Sequence, residues 1–309
     1  MFLPKDFTSK MEKLLPKEEL EQLKTAIDTP LRKSIRINTL RTNVKETKES
    51  LEKQGFILNE MPWYKYGFFI STQKKLAIGN TLEHYLGKIY VQEASSMLPV
   101  IALDPKENDH ILDMAAAPGS KTTEMAMHMN NKGLIIANEP SIQRISALQE
   151  NIDRSGVLNY VITRHDGRKF ANYPELFDKV LLDAPCSGEG TFQKDVKARY
   201  VWSQAKVIQN SRLQKQLIDS AIACTKPGGT IIYSTCTLSP EEDEEIIDYA
   251  LNKYNNIKLE KIKLDGLNTS NGTTEYNGRK YNDEVKKVIK LWPHKTNIEG
   301  FFVAKIKKE

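Results

Sequence analysis

Cysteine is scarce in this chain: Cys186, Cys224 and Cys236 are three residues among 309, with no regular spacing. An odd and sparse set of this kind argues against a disulfide framework and for a reducing compartment. Long apolar runs are absent too, so no membrane span is expected. The opening segment MFLPKDFTSKMEK carries acids and no apolar stretch, which argues against a secretory leader; a soluble, cytoplasmic protein is the expectation. Internal repeats are missing, as are the G-x-G-x-x-G fingerprint and the P-loop pattern that cradle phosphates. No His or Cys set has metal-ligand spacing, so no metal is expected.

What the chain does contain is charge, unevenly placed. The net charge is +5. Residues 1–90 hold 16 Lys+Arg against 11 Asp+Glu, residues 91–254 hold 17 against 22, and residues 255–309 hold 12 against 7. Basic flanks around an acidic middle suit a polyanion gripped at the edges of a catalytic body, although a solvated lysine-rich surface has the same signature.

Residues 7–28 carry helical patterns broken by Pro16, followed by a strand in KSIRINTL, a helix in NVKETKESLEKQG and a strand in YGFFIS. This predicts a small α+β module over residues 1–87, with Trp63, Tyr64 and Tyr66 either stacking on RNA bases or buried as core. From about residue 108 strands and helices alternate to the end, which predicts a second domain, 88–309, built on a doubly wound, mainly parallel sheet. In such sheets ligands sit at the carboxyl ends of the strands. The polar stretch LNTSNGTTEYNGRKYNDE reads as a surface loop.

Three loops fall at such ends. In DMAAAPGSKTT the small Ala115, Ala116 and Ala117 let a ligand approach the backbone, Pro118 and Gly119 make a turn, and Ser120 or Thr122 can cap a helix. Glu139, about twenty positions on, has the spacing of a carboxylate that holds ribose hydroxyls. Asp166 in RHDGR is placed to meet an adenine amino group. A ribose clamp without a pyrophosphate loop favours S-adenosylmethionine over NAD. The other two loops, VLLDAPCSGEG and STCTLSPEEDEE, end adjacent strands in cysteines. Cys224 reads as a buried small hydrophobe.

A thiol pair beside a methyl donor has a purpose in pyrimidine chemistry. Carbon 5 of cytosine is a poor nucleophile until a thiolate adds to carbon 6, so one hard step becomes two easier ones. Asp183 is placed to hold or donate the proton at ring nitrogen N3. One cysteine can attack and the other can assist release. In LSPEEDEE, Ser239, Pro240 and Glu242 read as a capping box opening a helix. Arg168 and Arg199 read either as RNA backbone contacts or as surface ion pairs.

DMAAAPGSKTT, LLDAPCSGEGT, YSTCTLSPEEDE and LWPHKTNIEGFFVAKI together resemble, in order, the motifs of the Nop/Sun family of RNA (cytosine-5) methyltransferases, and RKSIRINTLR resembles the small module that precedes them. The resemblance implies a Rossmann-like class I methyltransferase domain with an RRM-like module before it. It implies Cys236 as nucleophile and Cys186 as the residue that aids release. It also implies an S-adenosylmethionine site lined by Ala115–Lys121, Glu139, Arg144, Asp166 and Asp183, with Lys121 near the reacting base. Many members have a cysteine where Ala115 stands. RNA is the expected partner, tRNA before rRNA because the chain resembles the short archaeal tRNA-type members. A monomer is expected, with room for an accessory protein; a retired, non-catalytic RNA-binding fold is the alternative from another class.

Overall fold

The computed structural model describes residues 2–309. Helices α1 (Lys5–Leu14) and α2 (Lys17–Asp28) lead into β1 (Lys33–Ile37), α3 (Val44–Lys53), β2 (Phe56–Met61), β3 (Tyr64–Thr72), the short α4 (Leu82–Tyr85) and β4 (Ile89–Val91). The four strands form an antiparallel sheet in the order β2-β3-β1-β4, a β-α-β-β-α-β arrangement. β4 extends this small sheet past residue 87.

The larger unit runs α5 (Leu98–Leu103), β5 (His110–Asp113), α6 (Ser120–His128), β6 (Leu134–Asn138), α7 (Ile142–Ser155), β7 (Tyr160–Thr163) and β8 (Phe177–Asp183). It continues with α8 (Val196–Val201), α9 (Gln204–Cys224), β9 (Thr225–Thr235), α10 (Glu244–Lys253) and β10 (Ile257–Glu260). The polar stretch folds into the short β11 (Ser270–Asn271), β12 (Glu275–Tyr276) and β13 (Arg279–Lys280), before β14 (Ile289–Leu291), α11 (Pro293–Thr296) and β15 (Phe301–Lys308).

β9-β8-β5-β6-β7 are parallel neighbours, and β15 joins β9 antiparallel. Because side chains alternate along a strand, one sequence feeds two cores. Ile111, Leu181 and Ile232 pack on one face of the sheet, while Leu112, Val180, Leu182, Ile231 and Tyr233 pack on the other. Each such fully buried aliphatic side chain contributes about 1.5–3 kcal/mol. The chain order β5-β6-β7 moves one way across the sheet and β8-β9 the other, so the reversal lies between β5 and β8.

Two contacts weld the amino-terminal segments onto this edge. Phe7, Met11, Leu23 and Ile27 of α1 and α2 share a core with Phe192, Trp202 and Leu238 from the loops beyond β8 and β9. Arg36 of β1 is fully buried and donates to Gln92 Oε1 (2.8 Å), the Ser120 carbonyl (2.9 Å) and Thr123 Oγ1 (2.9 Å), and it pairs with Glu124 (3.2 Å). Trp63, Tyr64 and Tyr66 belong to this joint: they pack against the main core, and Tyr64 Oη meets His128 Nε2 at 2.9 Å. Tyr64 is buried as core, while Trp63 and Tyr66 are partly buried against it.

Candidate active site

The three singled-out loops emerge side by side at the carboxyl edge, after β5, β8 and β9. The loop after β5 turns through Gly119, whose φ of +105° suits glycine, and whose N–H donates to the Ala116 carbonyl (2.7 Å). Gly119 itself caps α6, with no side-chain cap. Thr122 does not cap: its hydroxyl donates instead to Asp113 Oδ2 (2.7 Å), the carboxylate at the tip of β5. Burial pushes that carboxyl up to about 6 against the Thr122 hydrogen bond, and its second oxygen has no hydrogen-bond partner.

Glu139 lies at the tip of β6, buried, accepting from Ser141 N–H (2.9 Å). Its other oxygen is 3.0 Å from Arg144 but lacks a well-directed hydrogen bond. The Arg144 guanidinium also donates to the Ala117 carbonyl, so it braces the alanine loop against Glu139. Asp166 is partly exposed and is gripped through both oxygens by Arg168. Arg168 is therefore a surface ion pair. Arg199, by contrast, is neither a surface pair nor an RNA contact. It is buried, donating to the carbonyls of Phe192 (2.8 Å) and Ile27 (2.9 Å) and to Asp28 (3.1 Å), because α2 docks over it.

A cavity of about 240 Å³ opens between these groups, lined by Met114, Ala115, Pro140, Asp166, Leu182 and Pro185 among others. Its apolar walls with one carboxylate at the edge fit a purine bearing an amino group. Glu139 beside it, with an incompletely bonded buried oxygen, fits ribose hydroxyls. The residues present therefore suit an adenosyl group.

Beyond β8 and β9 the geometry is tighter. Cys186 Sγ and Cys236 Sγ are 3.3 Å apart, and both residues are partly exposed. The hydrogen bond to Cys236, then burial, raises the Cys186 thiol well above its ordinary range. Either sulfur can be the donor in this contact. Asp183 accepts from Ser234 Oγ (2.7 Å) and from Lys121 Nζ (2.7 Å), which also donates to Ser96 (3.0 Å). Burial works to lower the Lys121 ammonium, yet Asp183 outweighs it and the net shift is upward. Lys121, Asp183 and the two thiols thus form one cluster next to the cavity. Ser96 and Ser234 carry no signal in the sequence, because only the fold brings them to Lys121 and Asp183.

The LSPEEDEE helix begins later than its sequence indicates. α10 starts at Glu244, and residues 240–243 form turns. Glu242 does not close a capping box; its carboxylate accepts from Ser187 N–H (2.9 Å) and Ser187 Oγ across the loop. Ser239 Oγ donates to Glu189 instead of capping. Tertiary partners outbid the local ones. Cys224 is buried in the core, where burial pushes its thiol up to about 12.

Residues 100–307 match the family described as 16S rRNA methyltransferase RsmB/F, and residues 3–94 match the N-terminal domain of 16S rRNA methyltransferase RsmF. The chain belongs to the RsmB/F methyltransferase family. It is 49% identical to the tRNA (cytosine(49)-C(5))-methyltransferase of Pyrococcus abyssi, over 94% of this chain and 93% of that one. It is 42% identical to ribosomal RNA small subunit methyltransferase F of Vibrio parahaemolyticus, where the whole chain spans only 64% of the relative's length. Among solved structures, a methyltransferase homolog from Pyrococcus horikoshii superposes with a TM-score of 0.83 at 34% identity, covering 99% of this chain and all of that one. NSun6 from the same organism, solved with SFG, gives 0.84 at 26% identity, covering 99% and 98%. This RsmB/F member is an S-adenosylmethionine-dependent RNA methyltransferase with a Rossmann-like fold. Among the described residues no helix is long and apolar enough to cross a membrane.

Proposed function

We propose that the enzyme forms 5-methylcytosine in tRNA through a covalent adduct between Cys236 and carbon 6 of the base. The observation that carries this reading is the 3.3 Å approach of the two sulfurs beside the Lys121–Asp183 pair. Cys236, as thiolate, adds to carbon 6, and the electron pair moves into the ring as Asp183 holds the proton at N3. Carbon 5 is then electron-rich. S-adenosylmethionine, when bound, supplies an electrophilic methyl sulfonium. Once carbon 5 has taken the methyl group, Cys186 as thiolate accepts the carbon 5 proton, and the returning electron pair breaks the bond to carbon 6 and frees Cys236 as thiolate. Lys121 keeps Asp183 oriented. Ala115–Gly119, Glu139 and Asp166 would hold the adenosyl group, with Arg144 bracing the loop. A paired target base has to leave its helix to reach this cluster.

The tRNA choice rests on the Pyrococcus abyssi relative, which is the more similar of the two curated relatives and is matched nearly end to end. A second reading, rRNA, is favoured by the match of residues 3–94 to the RsmF N-terminal domain. Incubation with labelled S-adenosylmethionine and bulk tRNA or ribosomal subunits, followed by bisulfite sequencing, tests both. Label appearing only in rRNA would reverse the substrate assignment, and label at no cytosine carbon 5 would end the proposal.

A further inference from the structure

Two buried glutamates beside the thiols have no part in the chemistry described so far. Each belongs to one thiol loop and is bonded by the other. Glu189 lies three residues after Cys186, yet it accepts from Thr237 Oγ1 (3.1 Å), the Leu238 N–H (3.1 Å) and Ser239 Oγ, all just beyond Cys236. Trp202 Nε1 adds a fourth donor at 2.8 Å. Glu242 follows Cys236, yet it accepts from the N–H and hydroxyl of Ser187, the residue after Cys186, and from Gln214 Nε2 (3.2 Å). Ser187 Oγ also meets Thr237 Oγ1 at 2.8 Å, and Gly190 N–H donates to the Cys236 carbonyl (2.9 Å).

Both carboxylates are buried, at 1% and 0% exposure. Burying two acids this close is costly: burial above all, with Glu189 as a like-charged neighbour, pushes Glu242 up to about 7 against its Ser187 donors. Neutral side chains of similar shape would bridge two loops at less cost. What the carboxylates add is the number of strong acceptor sites, with Glu189 spanning three donors on the opposite loop and Glu242 two.

We infer that Glu189 and Glu242 are positioning residues that form a reciprocal clasp, fixing the gap between the Cys186 and Cys236 sulfurs. Their effect on methylation rests on the thiol mechanism proposed above, but their effect on the gap does not.

Disulfide formation by diamide reads that gap without RNA or cofactor. The two thiols give up two electrons and two protons to diamide, which becomes the hydrazine, and the sulfurs join. In the full-length protein, Glu242→Ala and Glu189→Ala are expected to slow Cys186–Cys236 crosslinking about tenfold and to lower kcat with the RNA KM little changed. Glu242→Gln, which keeps one acceptor oxygen, is expected to recover part of both. Should the alanine variants fail to fold, as judged by circular dichroism, Ser187→Ala removes a single donor and is expected to slow crosslinking about threefold. Wild-type crosslinking and kcat in folded Glu242 and Glu189 variants, or in Ser187→Ala, would overturn the clasp. Slowed crosslinking in a protein that makes no 5-methylcytosine would leave the clasp standing and remove the proposed reaction.

Discussion

The two halves of the sheet's carboxyl edge are finished differently. On the proposed cofactor side, Asp113 and Glu139 are buried with one oxygen each lacking a hydrogen bond. On the thiol side, both oxygens of Glu189 and both of Glu242 are bonded to protein donors. A buried polar atom without a partner costs free energy unless something else satisfies it. The second half is complete in itself, whereas each acid of the first keeps one oxygen without a hydrogen bond, in keeping with the proposal that a ligand binds there. Lys121 and Asp183 stand where the halves meet, since Lys121 comes from α6 and Asp183 from β8.

Substitutions can break this contrast, and the thiol half has the larger effects. Cys236→Ala is expected to abolish methyl transfer to background and to leave no RNA–protein adduct on a denaturing gel, while S-adenosylmethionine still binds by calorimetry. Cys186→Ala is expected to cut turnover by roughly 100-fold or more, the usual contribution of a positioned acid or base. In that variant the adduct accumulates. If the two outcomes were exchanged, the roles of the cysteines would have to be exchanged with them.

The cofactor half is expected to yield smaller changes of another kind. Glu139→Ala removes a charged hydrogen-bonding group worth about 1.5–3 kcal/mol, or roughly a ten- to hundredfold weaker Kd for S-adenosylmethionine. The diamide crosslinking rate should not move. A slowed crosslink would mean the halves are not independent. Arg168→Ala should be the mildest: it frees an exposed carboxylate, so the Tm is expected to stay put and the cofactor Kd to shift less than threefold. A larger loss would make Arg168 a ligand contact and not merely the partner of Asp166.

How much of this was legible in the sequence depended on whether the deciding contact was local. The β-α rhythm was readable because β5, β8 and β9 carry short uninterrupted apolar runs that feed both faces of the sheet. The small module was readable from the alternation of apolar and polar residues in KSIRINTL. The neighbourhood of Cys186 and Cys236 followed from two adjacent parallel strands ending in the same kind of loop. Ser239 and Glu242 were misread as a capping box because their spacing satisfies the local rule, while their partners, Glu189 and Ser187, lie some fifty residues away. Arg199 was misread because its burial depends on the docking of α2, more than 170 residues earlier in the chain. The reciprocal pairing of SGE with TLSPEE was present in the residues, but only the approach of the loops makes it visible.

Gly190 and Gly300 carry a practical consequence. A methyl group on Gly190 would fall 1.9 Å from the Gly300 carbonyl oxygen and 2.9 Å from that of Cys236, and Gly300 N–H donates to the Gly190 carbonyl at 3.2 Å. The backbone entering the last strand is therefore pressed against the floor beneath Cys236. Truncation into this strand, for crystallisation or delivery, is expected to disturb the Cys236 loop although the cut lies far from Cys236 in the sequence. Engineering in this region should leave that strand whole.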